Sequence, residues 1–148
     1  MASRIEDYGL IGDCETAALV GRDGAIDWLC WPAFDSDACF AALLGAPKNG
    51  RWLLAPAEAI RRTSRRYRDD TLILETRFET EGGVVDLIDF MPPRGHASDV
   101  VRLVRGISGR VRMHMELVIR FGFGFGVDVP WVKKNPDGEG CSQSVART

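Results

Sequence analysis

"RVRMHMELVIRF", residues 110–121, places Val111, Met113, Met115, Leu117, Ile119 and Phe121 at every second position. The opposite face carries Arg110, Arg112, His114, Glu116 and Arg120, interrupted only by Val118. Successive side chains of a strand point to opposite faces, so this pattern predicts a long strand with one face on a core and the other in water. One-sided burial of that kind belongs to antiparallel sheets.

Reading outward, Thr71 to Thr80 repeats the pattern, with Leu72, Leu74 and Phe78 on one face and Glu75, Arg77 and Glu79 sharing the other with Ile73. Glu81-Gly82-Gly83 then supplies a turn, and Val84 to Phe90 is rich in the β-branched and aromatic residues that suit a pleated surface. These two segments are expected to form a hairpin. Val100 to Ile107 and the 110–121 strand, separated by Ser108-Gly109, read as a second one. Shorter strands are expected at Thr16 to Val20, Ala25 to Trp31 and Arg51 to Ala55, the first two joined across "GRDG", residues 21–24. Only Ala38 to Leu44 has a helix-forming composition, and Gly45 and Pro47 stop it after about two turns. The fold class that follows is all-β, an antiparallel β-sandwich with one short helical turn. The stretch from Asn135 onward is polar, glycine-rich and short of core residues, so the domain is expected over 1–134 and a poorly ordered tail over 135–148.

The 148 residues suffice for one domain with its own core. Nineteen Lys plus Arg against 21 Asp plus Glu give a net charge of -2, so no global field attracts nucleic acid or an anionic membrane. No apolar run approaches the roughly 20 residues that span a bilayer, and residues 1–7 lack the apolar stretch of a signal peptide. A cytoplasmic location is the resulting expectation. In that compartment Cys14, Cys30, Cys39 and Cys141 are expected as free thiols, with Cys14 and Cys30 buried. They form no C-x-x-C pair, and His96 and His114 have no ligand spacing with them, so neither a metal nor a cofactor is expected.

Gly122-x-Gly124-x-Gly126 has the third glycine one place too early for a dinucleotide fingerprint, and Val127-Asp128-Val129-Pro130 follows where a helix is needed. Arg61, Arg62, Arg65, Arg66 and Arg68 surround Tyr67 in the one basic cluster, which reads as a solvated strand rather than a nucleic-acid site. No G-x-S-x-G is present, and neither histidine sits in a nucleophile motif. Asp27, Asp35, Asp37, Asp86 and Asp89 are candidate carboxylates for glycoside chemistry, which needs two at a set separation. Trp28 and Trp31 lie three apart on a strand and so point to opposite faces. After Trp31-Pro32 ends that strand, Phe34, Asp35 and Ser36 bring an aromatic plane, a carboxylate and a hydroxyl into one turn. Trp31, Phe34, Asp35 and Ser36 are therefore the candidate substrate-binding residues for a sugar. A plain corner with an Asp-capped turn accounts for the same spacing.

"IEDYGLIGDCETAALVGRDGAIDWLCWPAFDSDACFAALLG", "GRWLLAP", "RRYRDDTLILETRFET", "DLIDFMPPR" and "SGRVRMHMELVIRF", in that order, closely resemble the N-terminal domain of bacterial family 15 glycoside hydrolases, the glucoamylase-like and trehalase-like proteins. The likeness covers about residues 4 to 134. It implies a β-sandwich that precedes a larger (α/α)6 barrel, with the catalytic glutamate pair in the barrel and so no catalytic residue in this chain. An α-glucoside or gluco-oligosaccharide is then a partner only in the presence of the barrel. The family usually has arginine at the place of Ala33, proline at that of Asp37 and "RFDYG" where this chain reads Arg120-Phe121-Gly122-Phe123-Gly124. A stand-alone carbohydrate-binding module is the alternative. Phe34, Phe40, Phe121, Phe123, Phe125 and Trp131 are candidates for an exposed apolar surface through which the chain self-associates.

Overall fold

A computed structural model describes residues 4–123, together with the backbone of two short paired strands, β11 (Val132–Lys134) and β12 (Ser144–Ala146). Apart from 144–146, the expected poorly ordered tail lies outside the described residues, as do Phe125, Trp131 and Cys141. The described chain is all-β and antiparallel. Its first sheet runs β1 (Tyr8–Gly12), β2 (Ala17–Gly21), β3 (Ala25–Cys30), β5 (Arg51–Pro56), β10 (Met113–Val118), and β4 (Ala38–Phe40) adds to β3. The second sheet runs β6 (Ile60–Tyr67), β7 (Leu74–Thr80), β8 (Gly83–Phe90), β9 (Val101–Gly109). Helix is confined to single 3-10 turns at Ile5–Asp7, Ala42–Leu44 and Pro47–Asn49.

The two sheets face each other over one interior. Ile11, Val20, Ile26 and Leu29 from the first sheet pack with Leu74 from the second and with Met91 and Ile119. A second cluster joins Leu54 to Phe78, Val85 and Leu87. The alternation that suggested β10 is respected: Val111 and Met113 pack on the second cluster, and Leu117 and Phe121 on the first. Gly24 ends the β2–β3 turn at φ +84, where a Cβ would stand 2.3 Å from the Leu54 carbonyl oxygen. Only glycine fits there, because the positive φ and the backbone approach coincide.

Four expectations are corrected. The second hairpin does not form: β9 pairs with β8 along its whole length, from Gly83↔Gly109 to Phe90↔Val101, whereas β10 pairs with β5 in the other sheet. Gly109 at φ +67 turns the chain, Arg110 N–H closes on the Gly82 carbonyl, and residues 110–112 cross between the layers. Two alternating segments separated by Ser-Gly look alike whether they pair with each other or with different neighbours, and here β8 takes up the length of β9 and β5 that of β10. The helical turn over 38–44 also changes character, because Ala38–Phe40 pairs with β3 and only Ala42–Leu44 is helical. Cys14 is exposed, while Cys30 and Cys39 are buried as free thiols. Cys14 falls at φ +73 in the tight turn between β1 and β2, which turns it away from the core. Phe40 is likewise buried at 4 % exposure, so it contributes nothing to an apolar surface.

Candidate functional site

The corner over residues 31–37 is built by hydrogen bonds to two other turns. Trp31 N–H donates to the Asp37 carbonyl (3.2 Å), Phe34 N–H to the Glu15 carbonyl (3.0 Å), and Ala33 N–H to the Ser36 hydroxyl (3.1 Å). The Trp31-Pro32 peptide is cis. Arg94, from the loop between β8 and β9, donates to the Pro32 carbonyl. The same guanidinium pairs with Asp13 and Glu15, each at 3.0 Å. The corner is thus clamped from behind by an ion-paired arginine.

Asp13 is the hub of that clamp. Its Oδ1 accepts from the N–H groups of Glu15 (3.0 Å) and Thr16 (2.8 Å), and its Oδ2 accepts from Ser98 Oγ (2.8 Å) and Arg94 Nε (3.0 Å). Burial by itself would raise this carboxyl, but the bonds from Thr16, Ser98, Glu15 and Arg94 outweigh it and hold Asp13 at about 2. Because the pKa is depressed on folding, the stabilisation is complete above the ordinary carboxylate value and is lost as pH falls through the folded one. Chemical denaturation is therefore expected to find Asp13→Asn less stable than the native sequence by about 2.5 kcal/mol at neutral pH, a gap that closes between about pH 4 and pH 2. A gap that persists at the acid end would show that the charge on Asp13 is not what holds the corner.

Of the four candidate sugar residues, Phe34 is 62 % exposed and Asp35 is exposed beside it. Ser36 is half-buried and spends its hydroxyl on the Ala33 N–H. Trp31 is half-buried and packs against the main core cluster. Trp28 lies on the other side of the sheet, against Cys30, Ala38 and Ala41, with the Phe123 ring 6.2 Å away. The structure therefore brings Phe34 and Asp35 to the surface and sets Trp31 behind them. The clamp itself was missed in the sequence: Asp13 and Arg94 are 81 positions apart, and nothing in either local stretch signals the other.

Of the remaining candidate carboxylates Asp37 is exposed, whereas Asp27, Asp86 and Asp89 have structural partners. Asp27 is buried, which pushes its carboxyl up, and the Tyr8 hydroxyl donates to it at 2.8 Å. Asp86 accepts from Arg77 (2.7 Å) and Arg105 (2.9 Å), which hold its carboxyl below the usual range. Asp89 pairs with Arg102 at 2.8 Å, both side chains fully buried, and Arg102 also donates to the carbonyls of Trp52 (2.6 Å) and Gly24 (2.7 Å). That guanidinium lies 5.3 Å from the centre of the Trp52 ring and ties the second sheet to the first. The basic cluster on β6 is consumed in the same way: Arg66 and Arg68 pair with Glu75, Arg62 with Glu79, Arg61 with Glu81, and Arg65 donates to the Val20 carbonyl. A shallow polar depression of about 330 Å³ over Ser64, Arg66, Glu75, Arg77 and Asp86 lies on that face. Among the described residues no cluster of His, Cys, Asp and Glu has the makings of a metal site.

The family described as trehalase-like, N-terminal, matches residues 1–139. The chain belongs to this family. A trehalase of Thermoplasma volcanium is 30 % identical over 141 residues, which cover 91 % of this chain and 22 % of that protein. A trehalase of Mycolicibacterium smegmatis is 40 % identical over 79 residues, covering 53 % of this chain and 12 % of the relative. Trehalase 2 of Sulfolobus acidocaldarius is 30 % identical over 118 residues, covering 80 % and 19 %. The trehalase-like N-terminal domain described here thus spans about a fifth or less of the length of these relatives. No solved structure matches it. Among the described residues no helix is long and apolar enough to cross a membrane.

Proposed function

We propose that this chain is the accessory N-terminal sandwich of a cytoplasmic trehalase-like hydrolase of glycoside hydrolase family 15, and that it buttresses an (α/α)6 catalytic barrel carried elsewhere in the protein. The observation that carries the reading is the match over residues 1–139 to the N-terminal family, in relatives of which this region is only about a fifth or less. The corner supports it. Phe34 and Asp35 project from a turn that Arg94 and Asp13 hold rigid, with Ser36 and Trp31 behind, which suits a loop offered to the rim of a sugar site completed by the barrel. A stand-alone carbohydrate-binding module is less well supported, because the packing of Trp31 leaves Phe34 as the one exposed aromatic of the corner.

An inverting glycosidase places its acid and its base about 6.5–9.5 Å apart across an enclosed sugar. The buried carboxylates of this domain are instead committed to arginines, a tyrosine or backbone N–H groups. Incubation of the purified chain with trehalose, maltose or maltotetraose is therefore expected to release no glucose. Release that scales with chain concentration through repeated purification would overturn the accessory reading.

A further inference from the structure

Leu74 and Phe78 of β7 are buried in the interior, so Glu75 and Arg77 lie on the outer face of the second sheet, in the depression of about 330 Å³. Cross-strand register explains its shape. Ser64, Arg77, Asp86 and Arg105 form one row across β6, β7, β8 and β9, and Arg66 and Glu75 begin the next. Arg77 bonds along its row to Asp86 (2.7 Å) and Arg66 along its own to Glu75 (2.9 Å), which leaves the space above the short Ser64 side chain open. Arg65 also borders that space but donates to the Val20 carbonyl. The exposed Ser64 hydroxyl has no partner among the described residues.

Ion pairing on this face uses up the carboxylates but not the arginines. Glu75 is shared by Arg66 and Arg68, and Asp86 by Arg77 and Arg105, so four guanidiniums meet two carboxylates. Glu79 is matched by Arg62, and among the described residues Asp69 and Asp70 form no ion pair. Two positive charges are left over. They also form the outer layer: the Glu75 and Asp86 side chains are 7 % and 4 % exposed, whereas their arginines range from 45 % (Arg77) to 75 % (Arg66). A guanidinium has five N–H donors, and the contact of Arg77 with Asp86 through Nε and Nη2 occupies two, so pairing does not exhaust it.

We infer that this depression binds the dianionic phosphoryl group of a phosphate monoester or of free phosphate, with Arg66 and Arg77 supplying the charge and Ser64 a neutral hydroxyl donor. The planar fork of arginine matches phosphate oxygens, and a dianion balances the two charges left over. No apolar or aromatic side chain lines the space, so any body that the phosphoryl group carries is polar, as a sugar is.

The test follows thermal unfolding of the full chain in inorganic phosphate, glucose 6-phosphate or glucose, with sodium chloride holding the ionic strength constant. Both phosphates are expected to raise the melting temperature saturably, and glucose to leave it unchanged. Tighter binding of glucose 6-phosphate than of phosphate marks a monoester as the ligand, and any other order marks free phosphate. Arg68 and Arg66 hold the Glu75 carboxyl, and Arg77 and Arg105 that of Asp86, below the usual carboxylate range, and no histidine lines the depression. Near neutral pH only the ligand titrates, so glucose 6-phosphate is expected to bind about four-fold more weakly at about pH 5.5 than at about pH 7.5, as its second proton returns. Ser64→Ile, which fills the depression and touches no ion pair, is expected to abolish binding and leave the melting temperature of the free chain unchanged. Arg66→Gln, which leaves Arg68 on Glu75, is expected to weaken binding about ten-fold. No saturable rise, an equal rise with glucose, or binding that both variants retain would overturn the assignment.

Discussion

Replacing Arg102 by alanine is expected to lower the melting temperature by about 10 °C, among the largest effects of any single substitution in this chain. Breaking a buried ion pair from one side costs about 3–5 kcal/mol, because the partner charge is left without compensation, and each kcal/mol moves a domain of this size by roughly 2–4 °C. Arg102 and Asp89 are both fully buried. The arginine also donates to the Trp52 and Gly24 carbonyls, so its loss removes hydrogen bonds that tie β9 to the first sheet. The counterpart, Asp89→Ala, leaves the buried Arg102 guanidinium without its carboxylate partner. The two variants therefore separate on acidification. Burial already pushes the Asp89 carboxyl up, so in Arg102→Ala it takes a proton as pH falls and part of the lost stability returns. Asp89→Ala has no such group, and its deficit should persist. Equal pH dependence in calorimetry would mean that the charge pair does not join the sheets as described.

Phe78→Ala is expected to cost about 3–5 kcal/mol, the usual range for truncating a buried aromatic ring. The side chain is fully buried between β7 and the β2–β3 turn, in the cluster with Leu54, Val85 and Leu87. Its ring tip lies 3.4 Å from where a Cβ on Gly24 would stand, so backbone at a positive-φ turn forms one wall of the site. Such a wall cannot collapse onto the space left behind, which puts the loss at the upper end of the range. Urea denaturation should show the fall in midpoint at an unchanged slope, and a loss under about 1 kcal/mol would show that the sheets are not packed through this cluster.

The sheet class was legible because period-two alternation is a local property, and it marked β7, β8 and β10 within a few residues of their ends. Pairing was legible only where a short turn left no choice, as at Asp23-Gly24 between β2 and β3 and at Gly82-Gly83 between β7 and β8. It failed at Ser108-Gly109, where the chain changes layers. Met115 shows the other limit: it holds the core-facing parity of β10 but stays half-exposed, since alternation reports a face and not whether that face is covered. In the candidate site, Phe34 and Asp35 were visible from the turn that follows Trp31-Pro32. Trp31 had two equivalent faces open to it on sequence alone, and only tertiary packing put it on the core. The Asp13, Arg94 and Ser98 clamp had no local signature at all, because its members come together through the closure of the β1–β2 turn on the β8–β9 loop.

The most direct test of the central claim, that this domain serves a sugar site it does not itself complete, is its melting temperature with and without trehalose or maltotetraose at high concentration. A ligand present at one hundred times its Kd stabilises the folded state by about 2.7 kcal/mol, a rise of several degrees for a domain of this size. The account requires an unchanged melting temperature with both sugars. A saturable rise that Phe34→Ala removes would contradict it and make the corner a binding site in its own right.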